Sequence, residues 1–181
     1  MLGHHGTSRQ CGGSALRSSA ILAHWEGTVR ELRPTQLYHY QWHLLRLEVG
    51  WHGVPCSNPP SDAFSRVLGE RLDEADPVVL GCFVDGYMRG AIRLLSPQSD
   101  RAREVVLSVE KAWQGRGIGR ALMAGAIAVA SGRGIAHLYL SCHALNRRIQ
   151  RIAETFGAKI EFEDGACFAE ITVSGELAAP Q

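Results

Sequence analysis

The stretch "VEKAWQGRGIGRAL", residues 109–122, joins an extended run to an apolar run and decides how the chain folds. Gly115, Gly117 and Gly119 remove three β-carbons from one short turn, so that a ligand can lie against the main chain. The apolar positions that follow recur at helical spacing, which places the bared amides at a helix N-terminus. Unpaired N–H groups and the positive end of the helix dipole favour an anion there. The sequence therefore predicts a phosphate or pyrophosphate site at this turn.

Two other phosphate-binding loops do not fit these glycines. The P-loop requires a lysine followed by Ser or Thr, and no such pair follows here. The dinucleotide fingerprint Gly-x-Gly-x-x-Gly would require glycine where Arg120 or Leu122 stands. The pattern that fits is Gln114-x-x-Gly117-x-Gly119, preceded by a strand and a four-residue connection.

The residues on either side of this turn alternate between strand-like and helix-like periodicity. Two Asp-Gly pairs, at 85–86 and 164–165, predict β-hairpins because both turn residues tolerate positive φ. The predicted order is a strand in 27–34, helices in 35–49 and 61–75, the first hairpin, a strand in 103–109, the helix after the glycines, a strand in 136–142, a helix in 146–158 and the second hairpin. This order predicts a mixed α/β domain with one central sheet.

Length and composition limit the class of protein. The 181 residues suffice for one domain, predicted over 27–174 with tails at 1–26 and 175–181. A net charge of +1 argues against nucleic-acid binding, and no apolar run predicts a membrane span or a secretory signal. Five scattered cysteines without a CxxC pair favour a reduced, cytoplasmic setting.

The stretch "LSVEKAWQGRGIGRALMAGAIAVASGRGIAHLYLSCHALNRRIQRIAETFGA", residues 107–158, resembles the GNAT superfamily of acyl-CoA N-acyltransferases. In that family, a Q/R-x-x-G-x-G/A loop holds the pyrophosphate of coenzyme A. The resemblance implies a GNAT-like single domain with a mixed, mostly antiparallel sheet of about six to seven strands and about four helices. It also implies acetyl-CoA as co-substrate and direct acetyl transfer to a primary amine in a ternary complex.

The resemblance assigns cofactor-binding residues to three places. The strand residues Leu107, Ser108 and Val109 would pair their backbone with the pantetheine arm, as an added strand would. Asn146 matches the family's asparagine that contacts this arm, and asparagine is also a favoured helix cap. The residues implied to cradle the pyrophosphate are Gln114, Gly115, Arg116, Gly117, Ile118, Gly119 and Arg120.

An amine must lose a proton before it attacks a thioester, and Glu104 is the first choice for the base. It lies on the strand that leads to the cofactor, where the resembling bacterial protein-lysine acetyltransferases carry a glutamate. Strict alternation points Glu104 to the same side as Val106 and Ser108. The alternative is a solvent-facing glutamate paired with Arg103 or another neighbour. Glu110 is a weaker candidate, expected to be solvated.

The residue that protonates the leaving thiolate is less evident. Many family members use a tyrosine seven positions after the asparagine, and here that position is Ala153. Coenzyme A could leave as thiolate and take its proton from water. Tyr139 is a possible substitute, although a buried packing role is the simpler expectation.

The segment 38–60 is rich in aromatic residues and histidines and would form the wall of the acceptor pocket. His39 and His43 share a helix face, with His52 and Cys56 further along, but no metal site is predicted. One histidine could act as a base. The acceptor would be a protein lysine or a small amine. The alternatives left open are a non-catalytic acyl-CoA-binding sensor, and a monomer or a homodimer.

Overall fold

The computed structural model describes residues 26–51, 78–96 and 101–173, with side chains of 48–51 left aside. Seven strands and three α-helices lie in these ranges. The strands are β1 (Thr28–Glu31), β2 (Val78–Val84), β3 (Tyr87–Leu95), β4 (Ala102–Val109), β5 (His137–His143), β6 (Lys159–Glu163) and β7 (Ala166–Thr172). The helices are α1 (Tyr38–Trp51), α2 (Ile118–Gly132) and α3 (Arg147–Thr155), with short 3-10 turns at Pro34–Gln36 and Lys111–Trp113.

The strands form one sheet in the order β1-β2-β3-β4-β5-β7-β6. Among the described strands, β4 and β5 pair in parallel and the other neighbouring pairs are antiparallel. Both Asp-Gly turns have positive φ, 51° and 78° at Asp85 and Gly86, and 47° and 77° at Asp164 and Gly165. The predicted mixed, mostly antiparallel α/β fold and its two hairpins are therefore confirmed.

Helices cover both faces of the sheet. Alternate side chains of β2 point to opposite faces of the sheet. Leu80 and Cys82 belong to the larger hydrophobic core around α2, whereas Val79 belongs to a smaller cluster that contains Tyr40 of α1. The helix α3 packs on β6, β7 and α2. Within the described ranges, no helix combines the length and apolar character that a membrane crossing requires.

Two predicted element boundaries differ in the structure, and one predicted helix falls outside the described residues. The helix predicted from residue 35 is preceded by the 3-10 turn, and α1 itself begins at Tyr38. The same helix is predicted to end at residue 49, but α1 continues to Trp51. The helix predicted in 61–75 lies outside the described residues.

The close approach of α2 to the sheet depends on a glycine in β3. A β-carbon at Gly90 would lie 2.8 Å from Ile118 Cγ2, 3.1 Å from Leu122 Cδ1 and 3.2 Å from the backbone oxygen of Ser108. Since Ile118 and Leu122 are fully buried, the start of α2 is fixed against β3 and β4. The glycine-rich turn is thereby held at the end of β4.

Candidate active site

The parallel pairing of β4 with β5 stops early and leaves a cleft between them. The register pairs Ala102 with His137 and ends with Glu104 opposite Tyr139. In contrast, β5 stays paired with β7 as far as His143, and β4 stays paired with β3 as far as Val109. We define the cleft as the gap between residues 105–109 of β4 and 140–143 of β5.

Backbone polar groups of β4 face this cleft. Glu110 donates its backbone N–H to the Arg89 oxygen at 3.0 Å. Because hydrogen bonds to one neighbour alternate along an antiparallel strand, the even-numbered residues of β4 bond to β3. The residues that direct N–H and C=O toward the cleft are therefore Val105, Leu107 and Val109. One of these groups is engaged, since Gln114 Nε2 donates to the Val109 oxygen at 3.0 Å.

The glycine-rich turn lies at the open end of the cleft. Gly115 and Gly117 adopt φ of 76° and 88°, and Gly117 is the N-cap of α2 without a capping side chain. The first N–H groups of a helix have no intrahelical acceptor, so those of α2 are available to a ligand. Arg116 and Arg120 are exposed, whereas the side chain of Ile118 is buried in the core. The turn therefore offers main-chain donors and positive charge.

A residue that sequence reasoning missed joins the turn to α3. Arg148 Nη1 donates to Gln114 Oε1, while Gln114 Nε2 holds the end of β4. The guanidinium of Arg116 stacks 4.6 Å above the Trp113 ring. The only sequence signal for Arg148 is a basic residue in the first turn of a helix.

The start of α3 contains the predicted asparagine. Asn146 is the N-cap, and its Oδ1 accepts the Ile149 N–H at 3.3 Å, so the expected capping role is present. Ala153, at the family's tyrosine position, is fully buried in the core. Its methyl group cannot supply a proton.

Glu104 lies at the bottom of the cleft, beside a cavity of about 410 Å³. The alternation predicted for β4 is confirmed, because Val105 is buried while Glu104 and Val106 are exposed. Among the described residues, no salt bridge holds the Glu104 carboxylate. The charged and aromatic residues that line the cavity are Glu104, Tyr139, Lys159, Glu161, Phe168 and Glu170.

Tyr139 does not have the buried position expected of it. Its side chain is 41% exposed, and its hydroxyl donates to Glu170 Oε1 at 3.1 Å. Partial burial and the Glu170 carboxylate raise the pKa of this phenol. The difference arises because β5 turns alternate residues toward the open face of the sheet, where α1 does not cover Tyr139.

A second polar cluster connects α1 with the end of β4. His43 is completely buried, and its Nε2 lies 2.9 Å from Ser108 Oγ. Its Nδ1 lies 3.6 Å from Glu110 Oε1, which is longer than a hydrogen bond. Sequence reasoning placed Ser108 and His43 separately near the site, and the fold brings their side chains together.

Glu110 is not the solvated residue that its position at the strand end suggested. Its side chain is only 13% exposed and pairs with Arg46 Nε at 2.6 Å and Arg89 Nη1 at 3.0 Å. Burial alone would raise the pKa of Glu110, but His43 and the two guanidinium groups outweigh it and lower the pKa to about 2. Glu110 is therefore ionised at neutral pH, and it anchors α1, through Arg46, to β3 and β4.

The exposed side of α1 is aromatic. Tyr38 and Trp42 are 51% and 58% exposed, while the His39 ring packs edge-on against Phe83 at 5.2 Å. In the described part of the chain, no group of three or more His, Cys, Asp or Glu residues could hold a metal ion. The other two candidate ligands, at 52 and 56, lie outside it.

A mixed sheet with a cleft beside its one described parallel pair, next to a turn that offers main-chain donors and positive charge, suits an acyl carrier with a phosphate-bearing tail. The family model of the acetyltransferase (GNAT) family matches residues 36–158. The chain therefore belongs to the GNAT acetyltransferase family. No curated protein matches this chain.

Three of the solved structures that share this fold illustrate the similarity. The yncA protein from Salmonella typhimurium, solved with acetyl-CoA, is 18% identical with a TM-score of 0.62, over 86% of this chain and 98% of that one. The ribosomal-protein-S18-alanine N-acetyltransferase from Escherichia coli is 21% identical, with a TM-score of 0.58 and coverages of 85% and 99%. The paia N-acetyltransferase from Thermoplasma acidophilum, solved with coenzyme A, is 17% identical, with a TM-score of 0.59 and coverages of 81% and 99%.

Proposed function

We propose that this protein is an acetyl-CoA-dependent N-acetyltransferase that acetylates a primary amine by direct attack. The observation that carries the proposal is the cleft between β4 and β5, because it combines free backbone groups with an anion-binding turn at its open end. Coenzyme A has the matching parts, namely an amide-bearing arm and a pyrophosphate. Its arm would pair with the backbone of Leu107 and Val109 as an added strand does. Ser108, predicted to pair with the arm as well, directs its backbone groups to β3 instead, because it lies opposite Ala91 at a bonded position of that ladder.

The pyrophosphate would lie against the turn from Gln114 to Arg120. Main-chain N–H groups of Gly115, Gly117 and Gly119 and the start of α2 would donate to it. Arg116 and Arg120 supply charge, and Ile118 contributes only its backbone, since its side chain is buried. Asn146 follows the end of β5, where its N–H donates to the His143 oxygen, and it would contact the arm while capping α3.

Glu104 would accept the proton that the attacking ammonium must lose. Its carboxylate is exposed beside the cavity, at the point where β4 and β5 separate. Two more carboxylates, those of Glu161 and Glu170, line the cavity, whereas Lys159 is the one lysine among its lining residues. The net negative charge of these residues favours a cationic acceptor. Backbone N–H groups of β4 would stabilise the negative charge that develops on the thioester oxygen.

The acceptor class rests on this charge and on the exposed aromatic side of α1. Both suit a protein lysine or a small alkylamine, whose ammonium would meet carboxylates and whose chain would contact Trp42 or Tyr38. The free cysteines in the described ranges agree with a reduced, cytoplasmic setting.

The test is to replace Glu104 by Gln and measure acetylation of lysine peptides and small amines by thiol release. We expect kcat to fall by about 10²-fold or more, the usual contribution of a general base, while the dissociation constant of coenzyme A is unchanged. The matched control is Glu163→Gln, because Glu163 is an exposed strand glutamate that does not line the cavity. An E104Q enzyme with full activity would remove Glu104 from this role.

A second candidate is a non-catalytic acyl-CoA sensor, favoured by the alanine at position 153. It predicts tight binding of acetyl-CoA with no thiol released in the presence of any amine. Saturating ligand at a hundred times its dissociation constant stabilises a protein by about 2.7 kcal/mol, so thermal unfolding detects binding independently of turnover. Stabilisation by ATP or NAD instead of coenzyme A would contradict both candidates.

A further inference from the structure

The Ser108 hydroxyl and the buried His43 imidazole form a pair that the mechanism above does not use. Ser108 Oγ lies 2.9 Å from His43 Nε2, although 65 residues separate them in the chain. His43 is completely buried, whereas Ser108 is only partly buried on the face of β4 that also presents Val106 and Glu104. Only the hydroxyl end of this pair can therefore reach a substrate.

The charge of Glu110 favours one tautomer of the His43 imidazole, the one with its proton on Nδ1. The carboxylate of Glu110 lies 3.6 Å from Nδ1 of His43, so a proton on Nδ1 is stabilised electrostatically. In an imidazole with its single proton on Nδ1, Nε2 accepts the hydrogen of Ser108 Oγ, which lies 2.9 Å away. The cationic groups nearest to this carboxylate, Arg46 and Arg89, are engaged with it and keep it ionised.

The pair lies next to the backbone groups that would hold the thioester. Leu107 and Val109, the residues on either side of Ser108, direct their N–H groups into the cleft. Successive residues of a strand are about 3.3 Å apart, so Ser108 is one residue from both of these donors. Glu104 adjoins the cleft-facing residue Val105 but is three residues, about 10 Å, from Leu107. Ser108 Oγ is thus the nearer proton-transfer group to a carbonyl bound at Leu107 or Val109.

Acetyl transfer from a thioester to an amine moves two protons off nitrogen. An alkylammonium has three N–H hydrogens and the secondary amide has one, while the C–N bond forms and the C–S bond breaks. One proton is released to solvent, and the other is needed by the sulfur of the leaving thiolate. Glu104 accounts for the first proton, and Ala153 leaves the second without the family's tyrosine.

We propose that Ser108 and His43 carry this second proton from nitrogen to sulfur. As the C–N bond forms, Ser108 Oγ accepts a proton from the nitrogen and passes its own to His43 Nε2. As the C–S bond breaks, Ser108 donates a proton to the sulfur and recovers one from His43, so both side chains end in their starting states. This inference rests on the proposed acetyl transfer.

The kinetic test uses Ser108→Ala, His43→Gln and the double variant. Each single change should lower kcat by about 10²-fold, and the double change should lower it no further, because two groups of one relay fail together. The dissociation constant of coenzyme A should stay within twofold, since backbone rather than the hydroxyl would bind the arm. The matched control is Thr172→Ala, which removes an exposed strand hydroxyl away from the cleft.

A measurement without turnover tests the same assignment and does not depend on the stability of the His43 variant. Long-range ¹H–¹⁵N spectra of the wild-type protein should show neutral His43 protonated on Nδ1, and Ser108→Ala should shift its Nε2 resonance. An Nε2-protonated imidazole would overturn the proposal, because that nitrogen could not accept the serine proton.

The outcomes separate this inference from the proposed function. If the wild-type protein acetylates an amine, two results would overturn the relay alone. One is an unchanged kcat for Ser108→Ala, and the other is additive losses of kcat in the double variant. Absence of amide product from every amine, with coenzyme A bound, would overturn the transferase proposal and the relay together.

Discussion

The two sides of the last half of β4 are built from different parts of the chain. Toward α2, the groups available to a ligand are main-chain N–H groups and two arginine side chains, and all of them come from one short segment, residues 114–120. Toward α1, they are side chains from separate elements, with His43, Ser108 and Glu110 drawn from α1, β4 and the residue after it. The first side suits recognition of a ligand that many proteins share, and the second suits chemistry that differs among them.

The largest effect that tests this comparison is expected from Glu110→Gln. The change removes a charge that Arg46 and Arg89 both contact, and it should destabilise the protein by about 2 kcal/mol at pH 7. Because the folded pKa of about 2 lies below the ordinary value of 4.5, this contribution is present above pH 4.5 and is lost as the pH falls toward 2. Urea unfolding at pH 7 and at pH 3 measures it.

The comparison also requires that Glu110→Gln leave coenzyme A binding intact, since the variant alters only the side facing α1. An equal loss of coenzyme A affinity would show that the two sides are not independent.

A smaller effect is expected from Gly117→Ala on the opposite side. A side chain at φ of 88° costs about 1–2 kcal/mol, so the affinity for coenzyme A should fall by about 5- to 30-fold as the turn distorts. The matched control is Gly134→Ala, because Gly134 also has positive φ, at 70°, with open space around it and far from the turn. Calorimetry should give reduced affinity for Gly117→Ala and wild-type affinity for Gly134→Ala.

The smallest effect is expected from Glu161→Gln, the same chemical change as at Glu110. Glu161 pairs with Lys159 at 2.7 Å, but both side chains are about two-thirds or more exposed. Solvent-exposed pairs contribute little, so the urea midpoint should not change measurably. A shift as large as that of Glu110→Gln would contradict the view that burial determines the difference.

A feature could be predicted from the sequence when the residues that determine it are close together in the chain. The hairpins at 85–86 and 164–165, the turn at 114–120 and the cap at Asn146 depend on neighbouring residues, and the structure has them as predicted. The family likeness depends on the same local order. The orientation of Glu104 followed from alternation along a single strand.

What could not be predicted depends on pairing between distant segments. Nothing near Glu110 in the sequence indicates that Arg46 and Arg89 would enclose it, so a solvated carboxylate was the natural expectation. Predicting the contact between His43 and Ser108 requires knowing how α1 is positioned against β4, and the periodicity of neighbouring residues does not contain that information. A histidine on the apolar side of a helix was the one available signal.

The short pairing between β4 and β5 has a consequence for the energetics of turnover. Backbone hydrogen bonds join the two halves of the sheet over three residue pairs, and beyond them the halves are held by the helices. An arm bound in the cleft would supply the ladder bonds that β5 does not, so that the liganded protein has a more continuous sheet than the free one. Release of coenzyme A after transfer would then require those ladder bonds to break, and this would give product release an activation barrier of its own.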